Sequence, residues 1–160
     1  MDLYRVVDDR YDHVVRSTMA GQVKLYSVDP GKKYYAWAEW GLQDNLAAAG
    51  LSLITERKDW GNVPLVIEKP QVYKFGKAKN KDIVDLSVGA GKVMTFTTGR
   101  VFEYLPAFWK GQMDKKEHQK RIRDSLTSRE AQILEGFLKT ELDHILDAVG
   151  IGLFHLGRMQ

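Results

Sequence analysis

The chain has 160 residues, of which 44% are hydrophobic and 28% charged, with no cysteine. A chain of this length forms one domain that buries roughly two-thirds of the surface its unfolded form exposes, and the lack of cysteine excludes a disulfide framework or a thiolate metal site. No apolar run reaches the roughly 20 residues of a membrane span and the first residues are acidic and polar rather than signal-like, so a cytoplasmic protein with no membrane partner is expected.

The net charge of +3 is spread unevenly. Residues 69–123 carry 13 Lys or Arg against 5 Asp or Glu, whereas the remainder carries 11 against 16. Carboxylates flanking a cationic stretch suit metal-dependent chemistry on a polyanion.

In chain order, Leu3, Val6, Val7, Tyr11, Val14 and Val15 have a loose helical spacing that ends near Gly21. Three strands are predicted next, Val23–Asp29, Tyr34–Trp40 and Leu51–Glu56, as an antiparallel meander. Asp29-Pro30-Gly31 closes the first of them and leaves a carboxylate at the hairpin rim. Leu65–Glu68, set between Pro64 and Pro70, has room only for a brief strand ending at a carboxylate.

Beyond a Lys-rich connection, Asp82–Thr97 puts Ile83, Leu86, Ala90, Val93 and Met94 on one helical face, with Asn80 as a cap. Gly89 and Gly91 permit close packing there. A fifth strand is predicted over Arg100–Leu105, and a basic helix over Lys115–Arg123. Thr127-Ser128-Arg129-Glu130 matches a capping box ahead of Ile133, Leu134, Phe137 and Leu138. The last helix, Glu141–Leu156, carries two stripes. Leu142, Leu146, Val149, Leu153 and Leu156 repeat at core spacing, while His144 and Asp147, three apart, share another face with Ala148, Ile151 and His155. Strands followed by alternating helices and one more strand predict an α/β fold, a mixed five-stranded sheet flanked by helices. Trp37, Trp40, Phe96, Phe102 and Phe108 read as core or interface packing. His13, His118 and His155 lack ligand spacing and read as structural or surface residues.

Five segments then occur in a telling order: Val28-Asp29-Pro30-Gly31; Val66-Ile67-Glu68 leading to Gln71-Val72-Tyr73; Val101-Phe102-Glu103-Tyr104; Trp109-Lys110-Gly111 with Lys115; and His144-x-x-Asp147-Ala148. Over about residues 23–157 the chain resembles the short, phage-type members of the RuvC-type Holliday junction resolvases. The resemblance implies a ribonuclease H-like domain over residues 23–160, preceded by an N-terminal extension of residues 1–22. It implies a homodimer that cuts two symmetric strands of a four-way DNA junction in a bacterial or phage-infected host cytoplasm. Two Mg2+ or Mn2+ ions per active site are implied, with no other small-molecule cofactor.

Position by position, Asp29, Glu68, His144 and Asp147 are similar to the family's acidic tetrad of catalytic and metal-binding residues. The third position is aspartate in many members and histidine in some; adjacent Asp143 is the alternative ligand. Lys110 and Lys115 resemble the two lysines near the scissile phosphate, with Lys116 an alternative to Lys115. Tyr73 matches the aromatic that stacks on an unpaired base, and Lys74, Lys77, Lys79, Lys116, Lys120 and Arg121 are the expected DNA-binding cations. A two-fold junction is matched by a two-fold protein, with Gly89 to Gly91 as the expected dimer contact. Only residues 57–63 separate the third strand from the glutamate strand, too few for the helix that longer members place there. The N-terminal extension is expected to pack in its stead.

Overall fold

The computed structural model describes residues 3–7, 13–17, 21–71 and 80–159. Seven strands form one mixed sheet among these residues: β1 (Leu3–Val7), β2 (His13–Ser17), β3 (Val23–Pro30), β4 (Tyr34–Gly41), β5 (Leu46–Leu53), β6 (Leu65–Glu68) and β7 (Val101–Tyr104). Their spatial order is β1-β2-β5-β4-β3-β6-β7. The pairings β3–β6 and β6–β7 are parallel and the rest antiparallel. Five helices complete the fold: α1 (Asn80–Met94), α2 (Pro106–Trp109), α3 (Lys115–Asp124), α4 (Ser128–Glu135) and α5 (Lys139–His155).

Strand alternation divides the interior into two layers. Tyr26, Val28, Leu65 and Ile67 turn to one face, where Ala90 and Val93 of α1 and Phe96 cover them. Leu25 and Val66 turn to the other face and pack with Trp40 and with Ile145, Val149 and Leu153 of α5. On that second face α5 lies unusually close to the sheet. Ser27 donates its hydroxyl proton to the Ala148 carbonyl (2.6 Å) and accepts from the Trp40 indole (2.8 Å). At Gly152 a β-carbon would overlap that indole, so glycine sets the depth of docking.

The meander, the glutamate strand, the strand before α2 and the three longer C-terminal helices match expectation. The N-terminal segment does not. It supplies β1 and β2, and β2 extends the sheet beyond β5 through pairs such as Val14 with Gly50 and Val15 with Ala49. The open edge of β5 offers unpaired backbone groups, and the β-branched Val14 and Val15 suit a pleated surface better than a helix. The extension therefore lengthens one sheet edge in place of packing as a helix, and the sheet has seven strands where five were expected.

The third strand lies earlier than expected, over Leu46–Leu53 in place of Leu51–Glu56. Its low-propensity Ala48, Ala49 and Gly50 are recruited by pairing on both sides, with β2 and β4, and the absence of a side chain at Gly50 leaves room for Trp37 opposite. Asp29 and Pro30 stay in register with Ala36 and Tyr35, so the turn proper begins at Gly31. α1 ends at Met94, short of the expected Thr97. Phe108, expected to be packed, is 67% exposed. Gly89, expected at a dimer contact, is used within the chain: a β-carbon there would stand 2.5 Å from the Gly31 carbonyl oxygen, whereas Gly91 faces open space.

The predicted capping box at α4 forms, and Glu130 does more than cap. Its carboxylate accepts from the Thr127 and Leu46 amides (both 2.8 Å) and, bidentately, from Arg158 (2.6 and 2.8 Å). Arg158 also donates to the carbonyls of Asp44 (2.7 Å) and Ser125 (2.9 Å), tying the end of the chain to the start of β5 and the end of α3.

Candidate active site

Asp29 and Glu68 stand at the carboxyl ends of adjacent parallel strands, the usual place for a site in an open α/β sheet. The period of two sets their direction. Asp29 follows Leu25 and Ser27 onto the α5 face, and Glu68 follows Val66. From α5, the helical period brings His144 and Asp147 to the same place, because the core stripe through Leu146, Val149 and Leu153 is buried against the sheet.

The geometry brings five predicted residues together with a sixth, Trp109. His144 Nδ1 lies 3.0 Å from Asp29 Oδ2. The Lys110 ammonium lies 3.0 Å from Glu68 Oε2 and 3.3 Å from Asp147 Oδ2, bridging two carboxylates that arise on different elements. Trp109 donates its indole N–H to the same Glu68 oxygen at 2.9 Å. That indole is buried, packs edge-on against His118 of α3 (centroids 5.0 Å apart), and rests under Gly150, where a β-carbon would meet the ring. The short α2, started by Pro106 at its first turn, presents Trp109 and then Lys110 to the strand ends.

Electrostatics are consistent with a crowded anionic pocket. Burial raises the Asp29 carboxyl above its ordinary value, with the nearby Asp147 charge adding and the His144 hydrogen bond opposing. Burial raises Glu68 as well, against the counteracting Lys110 charge. Burial would lower Lys110, but the Asp147 and Glu68 charges outweigh it and hold the ammonium above its usual range. The hydrogen bond to Asp29 raises His144 and favours the imidazolium.

Other expected site residues lie apart. Lys115 reaches Asp143 at 2.5 Å, and Gln119 also donates to Asp143 at 2.8 Å. Asp143, the alternative to His144, is exposed and engaged by these two residues of α3. Lys120 pairs with Asp124 one turn on (2.6 Å), Lys116 is exposed on α3, and Arg121 is half-buried. Tyr73, Lys74, Lys77 and Lys79 lie outside the described residues. The sequence reading missed Trp109 as the partner of Glu68; its adjacency to Lys110 was the only signal available. His155 is engaged by the Tyr104 hydroxyl at 2.9 Å, a structural role in keeping with expectation.

Among the described residues, no three histidine or carboxylate side chains are grouped so as to hold a metal ion in their present positions. Lys110 occupies the space between Glu68 and Asp147 instead. The donor set nonetheless fits a hard divalent cation: it is rich in carboxylate oxygen, partly desolvated, and already gathers a positive charge. One histidine nitrogen among oxygens is compatible with Mn2+ as well as Mg2+.

No protein-family model matches the chain, and no curated protein matches it. Solved structures do. The RuvC of T. thermophilus in complex with Holliday junction substrate is similar at 14% identity and a TM-score of 0.53, over 85% of this chain and 98% of that one. A second Thermus thermophilus RuvC structure is similar at 13% identity and a TM-score of 0.51, with the same coverage. With seven strands in place of five, the chain thus has the RuvC-like fold, an α/β fold of ribonuclease H-like type.

Proposed function

We propose that this chain is a metal-dependent endonuclease that resolves four-way DNA junctions by paired symmetric nicks. The observation that carries the reading is the convergence of Asp29, Glu68 and Asp147, from β3, β6 and α5, around the Lys110 ammonium. The similarity of fold to a RuvC in complex with Holliday junction substrate supports the same substrate.

Asp29, Glu68 and Asp147 would hold the two Mg2+ or Mn2+ ions, with His144 completing the set. Divalent ions so bound supply a nucleophilic water and stabilise the leaving oxygen of an in-line phosphoryl displacement. The chain's own residues prepare that chemistry. Trp109 fixes one Glu68 oxygen by its indole proton, so the carboxylate has a single orientation to offer. Lys110, held between Glu68 and Asp147, would neutralise charge developing on the scissile phosphate. His144, whose Nδ1 is held by Asp29, would use its other ring nitrogen either as a ligand or to position the attacking water. Lys116, Lys120 and Arg121 of α3 would contact the phosphate backbone, so affinity should fall steeply with salt.

A two-fold junction calls for a two-fold protein. On α1, the exposed Val84 and Val88 share a stripe with the open Gly91, an apolar face suited to a second copy of the chain. Gly89, committed to Gly31, is not part of that face.

The test incubates purified protein with Mg2+ or Mn2+ and labelled four-way junction, duplex, flap and RNA–DNA hybrid, with Glu68→Gln as control. Paired symmetric nicks confined to the junction and absent in the variant are expected. Equal cutting of the hybrid or flap would replace the reading with a different nuclease, and metal-independent binding without cleavage would leave a junction-binding protein.

A further inference from the structure

α2 is one helical turn without a side-chain cap, and Trp109 is its only buried residue. The pose of that indole bears on two charged groups of the site. Its N–H is donated to Glu68 Oε2 at 2.9 Å, and the Lys110 ammonium lies 4.8 Å from its centroid. Whatever grips the indole therefore governs where both groups stand. The grip comes from α3 and α5. His118 of α3 is 4% exposed and edge-on to Trp109, with centroids 5.0 Å apart and 63° between planes. Ile122, one turn further along α3, is fully buried, and both its side chain and the indole crowd the position that a Gly150 β-carbon would take on α5. The buried stripe of α3 and the bare backbone at Gly150 thus form a seat for one ring.

Histidine is a costly side chain for that seat. Neither ring nitrogen has a hydrogen-bond partner among the described residues, so two polar atoms have given up water with nothing in exchange. A leucine would fill the space without that loss. Burial lowers the pKa of His118 against the opposing Asp147 charge, with Lys110 and Arg121 adding to the effect, so the imidazole is kept neutral and does not contend with Lys110. What the imidazole supplies is a directional contact. Aromatic rings prefer defined mutual orientations, whereas an aliphatic side chain holds a ring in place without setting its tilt.

We infer that His118 is a positioning residue for Glu68, acting through the tilt of Trp109 and touching no reacting group itself. This rests on the junction-nuclease reading above and deepens it, because the carboxylate at the end of β6 is aimed from α3. The same helix exposes Lys116 and Lys120 on its outer side. A strand held there and the carboxylate that serves it are then set by one element. A misaimed Glu68 costs rate and not junction affinity, since the phosphate-binding face is untouched.

The test uses the full-length protein and reads the indole 1H–15N resonance of Trp109, assigned by its absence in Trp109→Phe, without DNA or metal. Junction cutting in Mn2+ and junction affinity in Ca2+ are measured beside it. His118→Ala should shift the resonance upfield, as the hydrogen bond to Glu68 loosens, and should slow cutting about tenfold with affinity unchanged. His118→Phe, which keeps a ring, should recover most of both; His118→Leu, which fills the space without one, should not. In a Trp109→Phe background, His118→Ala should cost nothing further. Circular dichroism checks the folding of each variant, and the contrast between His118→Phe and His118→Leu decides the matter if His118→Ala unfolds. A wild-type resonance and rate in His118→Leu would overturn the positioning role and leave the nuclease reading standing. An undiminished loss in the Trp109→Phe background would overturn the route through Trp109. If the wild type cuts no junction, the nuclease reading falls, and the resonance in His118→Leu still decides whether His118 sets the contact with Glu68.

Discussion

Two clusters in this molecule pair buried carboxylates with a cation, and they are built to opposite ends. Glu130 receives two backbone amides and a bidentate guanidinium. Burial alone would raise its pKa, but those hydrogen bonds outweigh it and hold the carboxyl below its ordinary value. At the other cluster, Asp29 and Glu68 are raised by burial because their donors are too few. The first arrangement is satisfied and serves the fold. The second keeps acceptor capacity in reserve, which is what a site that binds a cation or transfers a proton needs.

The largest expected effect breaks the second cluster. Asp29→Asn should lower cleavage by about 10³-fold, through loss of transition-state charge stabilisation. Junction binding, and the urea midpoint of unfolding, should not fall, because the variant removes a poorly solvated charge. A gel cleavage assay beside urea denaturation measures both. The converse change, Glu130→Ala, should cost about 3 kcal/mol of stability by stranding Arg158, read from urea denaturation, while leaving cleavage per folded molecule unchanged.

A smaller effect lies at Lys110. Lys110→Met should destabilise the metal-free protein by about 2 kcal/mol, as the two carboxylates lose their cation. Adding Mg2+ should then raise the thermal midpoint more in the variant than in the wild type; an equal rise would mean that the ammonium does not stand where cations bind. The smallest expected effect is a difference in pH dependence. Glu130, depressed in the folded state, contributes stability that is fully present above its unfolded value of about 4.3 and lost as pH falls from there through the folded value. Asp29 has the opposite sign: its penalty is absent below about 3.9 and grows as pH rises through the raised folded value. Glu130→Gln should therefore flatten the acid limb of a stability–pH curve, and Asp29→Asn should flatten the decline above it.

Much of the site was legible because two periods place it. Alternation along β3 and β6 sends Asp29 and Glu68 to one face, and the three-residue spacing of His144 and Asp147 survives wherever the core stripe of α5 is buried. What escaped depended on contacts between distant segments. β1 and β2 exist because β5 has an edge to extend, which no local pattern in residues 1–20 announces. Ala48, Ala49 and Gly50 are poor strand formers until β4 lies beside them, with Trp37 opposite Gly50. Trp109 has no assigned role until Glu68 is beside it, and Phe108 reads as core until its neighbours leave it outside. The fate of Lys115 was hidden in the same way, because Asp143 competes for it across α3 and α5.

The contact of Gly89 with the Gly31 carbonyl links two parts of the molecule that the chemistry keeps separate. Gly31 is the second residue after Asp29, and α1 carries the apolar stripe of Val84 and Val88. Neither glycine has a side chain that could yield, so the contact transmits displacement as a hard stop does. A load placed on α1 from outside would be delivered to the backbone beside Asp29, so the geometry of the carboxylates becomes a mechanical question as well as a chemical one.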